Sequence, residues 1–123
     1  MAHRTDNLAN IDPSLALLGR FAKISKGTTA NIKKMRETTI YADGEFPAKV
    51  KVLAAMLWSV SARCEPCVEY YAAKAKEFGT TEAELGEFLA LASTMGGCVG
   101  ETWALKAYKA FTDTAADDST CCA

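Results

Sequence analysis

Cys64-Glu65-Pro66-Cys67, continued by Val68-Glu69-Tyr70-Tyr71, is the stretch around which this chain is organised. Cysteines at i and i+3 share one face of a helix, with Cβ atoms about 5–6 Å apart, and that separation is within reach of a disulfide. Pro66 has a fixed φ and no N–H, so a helix accepts it only in the first turn. The spacing predicts a helix that begins at the first cysteine, where unpaired N–H groups and the positive end of the dipole favour thiolate over thiol. A thiolate is both a nucleophile and a metal ligand, which makes Cys64 and Cys67 the candidate chemical centre. Tyr71 stands four residues after Cys67 and seven after Cys64, on the same face. It either packs there or donates a hydrogen bond to a thiolate.

Outward from this stretch the periodicity is helical throughout. Asp12-Pro13-Ser14 starts a helix with Asp12 as cap, and Leu15, Leu18, Phe21 and Ala22 recur along it until Gly27. A second helix follows Thr28 or Thr29, carrying Ile32, Met35 and Ile40; Lys33, Lys34 and Arg36 read as its solvated face rather than an anion site. Asp43-Gly44 ends it and Pro47 opens the next. From there to Arg63, Val50, Val52, Leu53, Met56, Leu57, Trp58 and Val60 cover most of the circumference, as expected of a helix central to a core or lying between subunits. The cysteine helix runs on to Phe78-Gly79. Thr81-Glu82-Ala83-Glu84 is a capping box opening a helix with Leu85, Phe88, Leu89 and Leu91 inward. Met95-Gly96-Gly97-Cys98-Val99-Gly100 breaks that helix, and Trp103, Ala104, Ala107, Tyr108 and Phe111 line the last. Both tryptophans read as core or interface.

The expectation is an all-α domain of about six helices over residues 12–112, with an arm at 1–11 and a flexible tail at 113–123. With 123 residues, half of them hydrophobic and a quarter charged, the composition is that of a soluble helical protein. Fourteen basic and fifteen acidic side chains give a net charge of −1, and no basic patch is interleaved with aromatics, so nucleic acid is not an expected partner. No apolar run approaches membrane-spanning length and no signal core opens the chain; membranes are not expected partners and the chain reads as cytoplasmic. In a reducing compartment, five cysteines point to redox or metal chemistry rather than structural disulfides. No βαβ pattern accompanies the pair, which disfavours a thioredoxin fold.

From Asp43 to about Phe111 the chain resembles the carboxymuconolactone decarboxylase family, and within it the alkylhydroperoxidase D-like branch. The landmarks are Asp43-Gly44, Ala48-Lys49 with Lys51 and Leu53, Arg63-Cys64-Glu65-Pro66-Cys67-Val68, and Met95-Gly96-Gly97. The resemblance implies a helical subunit assembling as a trimer or hexamer. It also implies a peroxidase-like thiol reaction on a small peroxide or disulfide, without a cofactor, recharged by a dithiol partner protein. In that branch the second cysteine attacks and the first resolves, roles that fall on Cys67 and Cys64. Its proton relay uses a histidine four residues after the second cysteine, here Tyr71. The relay glutamate twelve residues before the first cysteine is here Val52. Tyrosine, with a pKa near ~10, is almost wholly protonated at neutral pH and replaces histidine as a hydrogen-bond donor only. Glu65 and Glu69 are the remaining candidates for acid–base work, although Glu69 projects to another face and Glu65 would raise a cysteine pKa.

Three further thiols are candidates for auxiliary roles. Cys98, at the start of the last helix, reads as a small buried filler. Cys121 and Cys122 could relay electrons to the Cys64–Cys67 pair by thiol–disulfide exchange. Alternatively they could complete a four-thiolate metal site, for which an adjacent pair is a poor second half. An oligomeric family member that has lost catalysis, and a member of the family's non-redox branch, are the other readings.

Overall fold

In the computed structural model the described residues are 10–122, with side chains described for 10–113. Among them there is no strand. A 3-10 turn (Pro13–Leu17) precedes five α-helices: α1 (Leu18–Ile24), α2 (Thr28–Thr39), α3 (Ala48–Ala62), α4 (Glu65–Glu77) and α5 (Glu82–Cys122). The sixth expected helix is the second arm of α5, which bends at Gly97 (φ 58°, ψ −140°), a backbone conformation that only glycine adopts without strain. The side chains of Cys121 and Cys122 lie outside those described.

The starts and stops follow local chemistry. Asp12 Oδ1 accepts the Ser14 N–H at 2.9 Å. The capping box closes in both directions, Glu84 N–H to Thr81 Oγ1 at 3.1 Å and Thr81 N–H to Glu84 Oε1 at 2.9 Å. Thr81 and Lys49 together hold the Glu84 carboxyl below its ordinary range. The sequence pattern misses one cap: Asp43 Oδ1 reaches across the turn to the Ala48 N–H at 2.8 Å, closing the start of α3 where Pro47 has no side-chain donor or acceptor.

The core is the packing of α3, α4 and α5. Val52, Leu53 and Met56 from α3 meet Val68, Ala72 and Ala75 from α4 and Leu85, Ala104, Ala107 and Phe111 from α5. Alanines facing one another let the helix axes approach closely, and full burial of each larger aliphatic side chain contributes about 1.5–3 kcal/mol. The expectation of a central α3 holds on this face, although Trp58 on its opposite face is 70% exposed. Leu91, expected inward, is exposed, lining an open cavity between α3 and α5 with Leu57 and Val60.

The 3-10 turn, α1 and α2 bury no residue. Leu18, Phe21, Ile24 and Met35 are exposed along them, Ile24 the most at 77%. Their apolar periodicity forms helices as expected but closes no core within one chain. The chain reaches the main body through Arg36, whose guanidinium lies over the Tyr70 ring, and through Ile40 and Tyr41 just after α2.

The two arms of α5 cross closely. A Cβ on Gly100 would collide with the Ala92 carbonyl oxygen and come within 2.9 Å of its carbon, whereas one on Gly86 meets nothing. Gly100→Ala should therefore destabilise by about 1–3 kcal/mol as an overpacking change. Gly86→Ala should gain up to about 1 kcal/mol of helix propensity. Urea unfolding followed by circular dichroism checks both; equal midpoints for the two variants would contradict the close crossing.

Candidate active site

The chain turns from α3 into α4 within two residues. Arg63 adopts the left-handed region (φ 56°, ψ 41°), with its own N–H bonded to Val60 O and that of Cys64 to Ser59 O, each at 3.1 Å. This is a Schellman closure made without glycine, costing on the order of 1–2 kcal/mol for a residue with a Cβ. Cys64 is then the extended N-cap of α4 and Pro66 sits in its first turn. Cys64 O accepts the Val68 N–H at 2.9 Å. The helix start read from the sequence is present: Cys64 caps α4, Cys67 lies in its first turn, and both are free, partly buried thiols.

The expected thiolate is not. Burial, and then the hydrogen bond to Cys64, push the Cys67 thiol up to about 11, with Arg36 acting in the opposite direction. The magnitudes explain the reversal. A helix N-terminus is worth typically 0.3–1 kcal/mol, less than the ~1.4 kcal/mol that moves a pKa by one, whereas burial moves groups by as much as ~3–5. In this reduced, closed arrangement Cys67 keeps its proton at neutral pH.

Above the pair lies a cluster of phenols and cations. Tyr71 is buried at 7% exposure within the core, and Tyr70 stacks edge-on against it with ring centroids 5.1 Å apart. Burial raises the Tyr71 hydroxyl above the usual phenol range, while the charge of Arg36 opposes the shift. The Tyr41 hydroxyl donates to the Tyr70 hydroxyl at 3.2 Å. Burial first and this hydrogen bond second raise Tyr41 strongly. Lys74 Nζ lies 5.2 Å from the Tyr41 ring centroid and 5.6 Å from that of Tyr70; Arg36 Cζ lies 6.0 Å from the Tyr70 centroid. Tyr71 is thus packed in the core, and the cation that acts on it is the Arg36 guanidinium.

The other sequence candidates are placed elsewhere. Glu65 faces Lys106 of α5 at 3.4 Å, and Glu69 acts on Lys109 of the same helix. Beside burial, the groups acting on Cys67 are Cys64 and Arg36. Val52, at the relay glutamate's position, is fully buried in the core. Cys98 is exposed rather than a buried filler, because the Gly97 bend turns the start of the second arm outward. Among the described residues no group of three or more His, Cys, Asp or Glu side chains is placed to hold a metal.

Arg36, Tyr41 and Lys74 are the site residues that the sequence pattern did not single out. Lys33 and Lys34 are exposed as expected, but Arg36 is partly buried. The signal was its register: Arg36 falls four residues from both Ile32 and Ile40, in line with the apolar stripe of α2. Lys74 likewise follows Cys67 by seven residues, on the face of Tyr71.

The comparisons with known proteins agree with this architecture. A crystal structure of a carboxymuconolactone decarboxylase family protein from Legionella pneumophila, in its apo form, superposes with a TM-score of 0.77 over 89% of this chain and 97% of that one, at 25% identity. An uncharacterized protein of Cupriavidus necator is 38% identical over 69 residues, 56% of this chain; the match spans 61% of that relative's length. The model of the carboxymuconolactone decarboxylase family matches residues 27–110. That span holds more than half of the sequence, every core helix and both site cysteines, and the chain belongs to the carboxymuconolactone decarboxylase family.

Proposed function

We propose that this protein is a thiol-dependent oxidoreductase whose Cys64–Cys67 pair alternates between dithiol and disulfide. The observation that carries this reading is the placement itself: two free, partly buried thiols at the cap and in the first turn of one helix. Cysteines three residues apart on a helix lie within disulfide reach. The oxidant in this reading is a small peroxide. Cys67, once deprotonated, attacks the O–O bond, becomes a sulfenic acid and releases an alcohol or water. Cys64 then attacks the Cys67 sulfur, forming the disulfide and expelling water. Two electrons pass from the thiols to the peroxide. A dithiol donor protein restores the pair by exchange and is itself left as a disulfide.

Loss of the relay histidine and glutamate sets the rate. Proton transfer by a positioned base is typically worth about 10²–10⁴-fold, and a phenol that stays protonated at neutral pH does not supply it. The reading is therefore of a slow peroxidase or a disulfide-exchange protein of the alkylhydroperoxidase D-like branch, working in the cytoplasm. Assembly with further copies of the chain is part of the proposal, since Leu18, Phe21, Ile24 and Met35 otherwise remain in water.

Treatment of the reduced protein with hydrogen peroxide, followed by alkylation and peptide mass analysis, should find Cys64 and Cys67 joined and two hydrogens lighter. Cys64→Ser and Cys67→Ser should each abolish the bridge, and Cys98→Ser should leave it. Recovery of both thiols unbridged would reject the redox reading. Tyr71→His places a base at the relay position and should speed bridge formation by roughly 10²-fold; a rate no higher than that of the unmodified protein would show that position 71 does not relay the proton.

A further inference from the structure

Two apolar faces of this chain have no partner within it, and they differ in charge. The first is the stripe of Leu17, Leu18, Phe21 and Ile24 along the 3-10 turn and α1, all of it exposed. Neither these elements nor α2 packs by backbone approach against α3, α4 or α5. A helix as short as α1 is marginal in water without tertiary packing, and an apolar stripe on it requires a surface to cover it.

The second face is a groove of about 420 Å³ between the two arms of α5. Gly86, Ala90 and Thr94 line it from the first arm, and Glu101, Leu105 and Tyr108 from the second. Leu105 is 60% exposed and Tyr108 39%, so the groove presents apolar walls to solvent. A trough between two packed helices, with small residues along one side, is a shape into which the ridge of a third helix fits.

Charge selects which face meets which. Residues 13–39 hold the cations Arg20, Lys23, Lys26, Lys33, Lys34 and Arg36 against one acid, Glu37. Along α5 the balance is reversed: Lys106 and Lys109 already face Glu65 and Asp113, at 3.4 and 2.6 Å. Glu87 and Glu101 are exposed there, and among the described residues neither is paired with a cation. Stripe against stripe, or groove against groove, would bring like charges together; stripe into groove brings opposite ones together. The other apolar cavity, between α3 and α5, has Arg63 as its one charged lining residue and does not suit a basic helix.

We propose that α1 of one copy of this chain lies in the groove between the α5 arms of a second copy. Its apolar stripe covers Leu105 and Tyr108, and its cations stand beside Glu87 and Glu101. This rests on the reading that the chain assembles, and adds which two faces meet.

The test is the mass of the reduced protein by light scattering on a sizing column, with circular dichroism as the check on folding. The unmodified chain should run as an assembly. Phe21→Asp spoils the stripe and Leu105→Asp spoils the groove; both side chains are exposed in the single chain, so each variant should stay helical and run at single-chain mass. Mixed in equal amounts, the two should form a 1:1 pair, because each keeps the face that the other lacks. Glu101→Lys should weaken assembly at low salt and matter less at about 0.5 M, where exposed charges are screened. A single-chain mass for the unmodified protein rejects assembly itself, and this contact with it. An assembly that survives Leu105→Asp or Phe21→Asp overturns this contact alone and leaves the groove to a ligand or another protein. So does a mixture of folded variants that stays at single-chain mass, or a Glu101→Lys chain that assembles as tightly as the original at low salt.

Discussion

Two residues, Arg63 and Cys64, are all that separate the most apolar helix of the chain from the helix that carries its chemistry. Both α3 and α4 must present an apolar face to α5, and a corner this short leaves little freedom in how they do so. The left-handed turn at Arg63 closes α3, and the extended Cys64 opens α4. With Pro66 confined to the first helical turn, Cys67 follows in that turn and meets Cys64. The same register sends Tyr70 and Lys74 toward Arg36 and Tyr41 while Val68, Tyr71, Ala72 and Ala75 enter the core. The packing that stabilises the domain is thus the packing that brings the thiols together.

That arrangement carries an electrostatic consequence. Burying Cys67 beside another sulfur raises its pKa to about 11, further than a helix terminus can lower it. A reactive pair in this setting needs a counter-charge, and the relay side chains of the resembling branch are a valine and a phenol here. Arg36, from a helix that contributes nothing buried to the core, acts on Cys67 in the lowering direction without offsetting burial.

Much of this was legible in the residues. Helical periodicity, the Thr81–Glu84 box, Asp12-Pro13 and the Gly97 break place the elements, because caps and glycines act through neighbouring backbone groups. Cys64-x-x-Cys67 with Pro66 places the thiols for the same reason. What remained hidden depends on tertiary distance. The thiol pKa depends on how much protein covers α4, the pairing of Glu65 on the side chains of α5, and the reach of Arg36 on the angle at which α2 meets the body. Charge type made Arg36 look like part of a solvated face, whereas its register with Ile32 and Ile40 pointed inward. Cys98 and Leu91 were both expected inside and are exposed, because the space beside α5 depends on how its arms sit against α3, which no local pattern records.

The most direct test of the central claim is equilibrium titration of the protein against thiol–disulfide buffers of graded potential, with the Cys64–Cys67 bridge quantified by mass. The account predicts a single two-electron transition to an intramolecular disulfide at a potential above about −300 mV, the range of exchangeable rather than structural disulfides. A pair that stays reduced across the whole series, or that forms only mixed disulfides with the buffer, would contradict it.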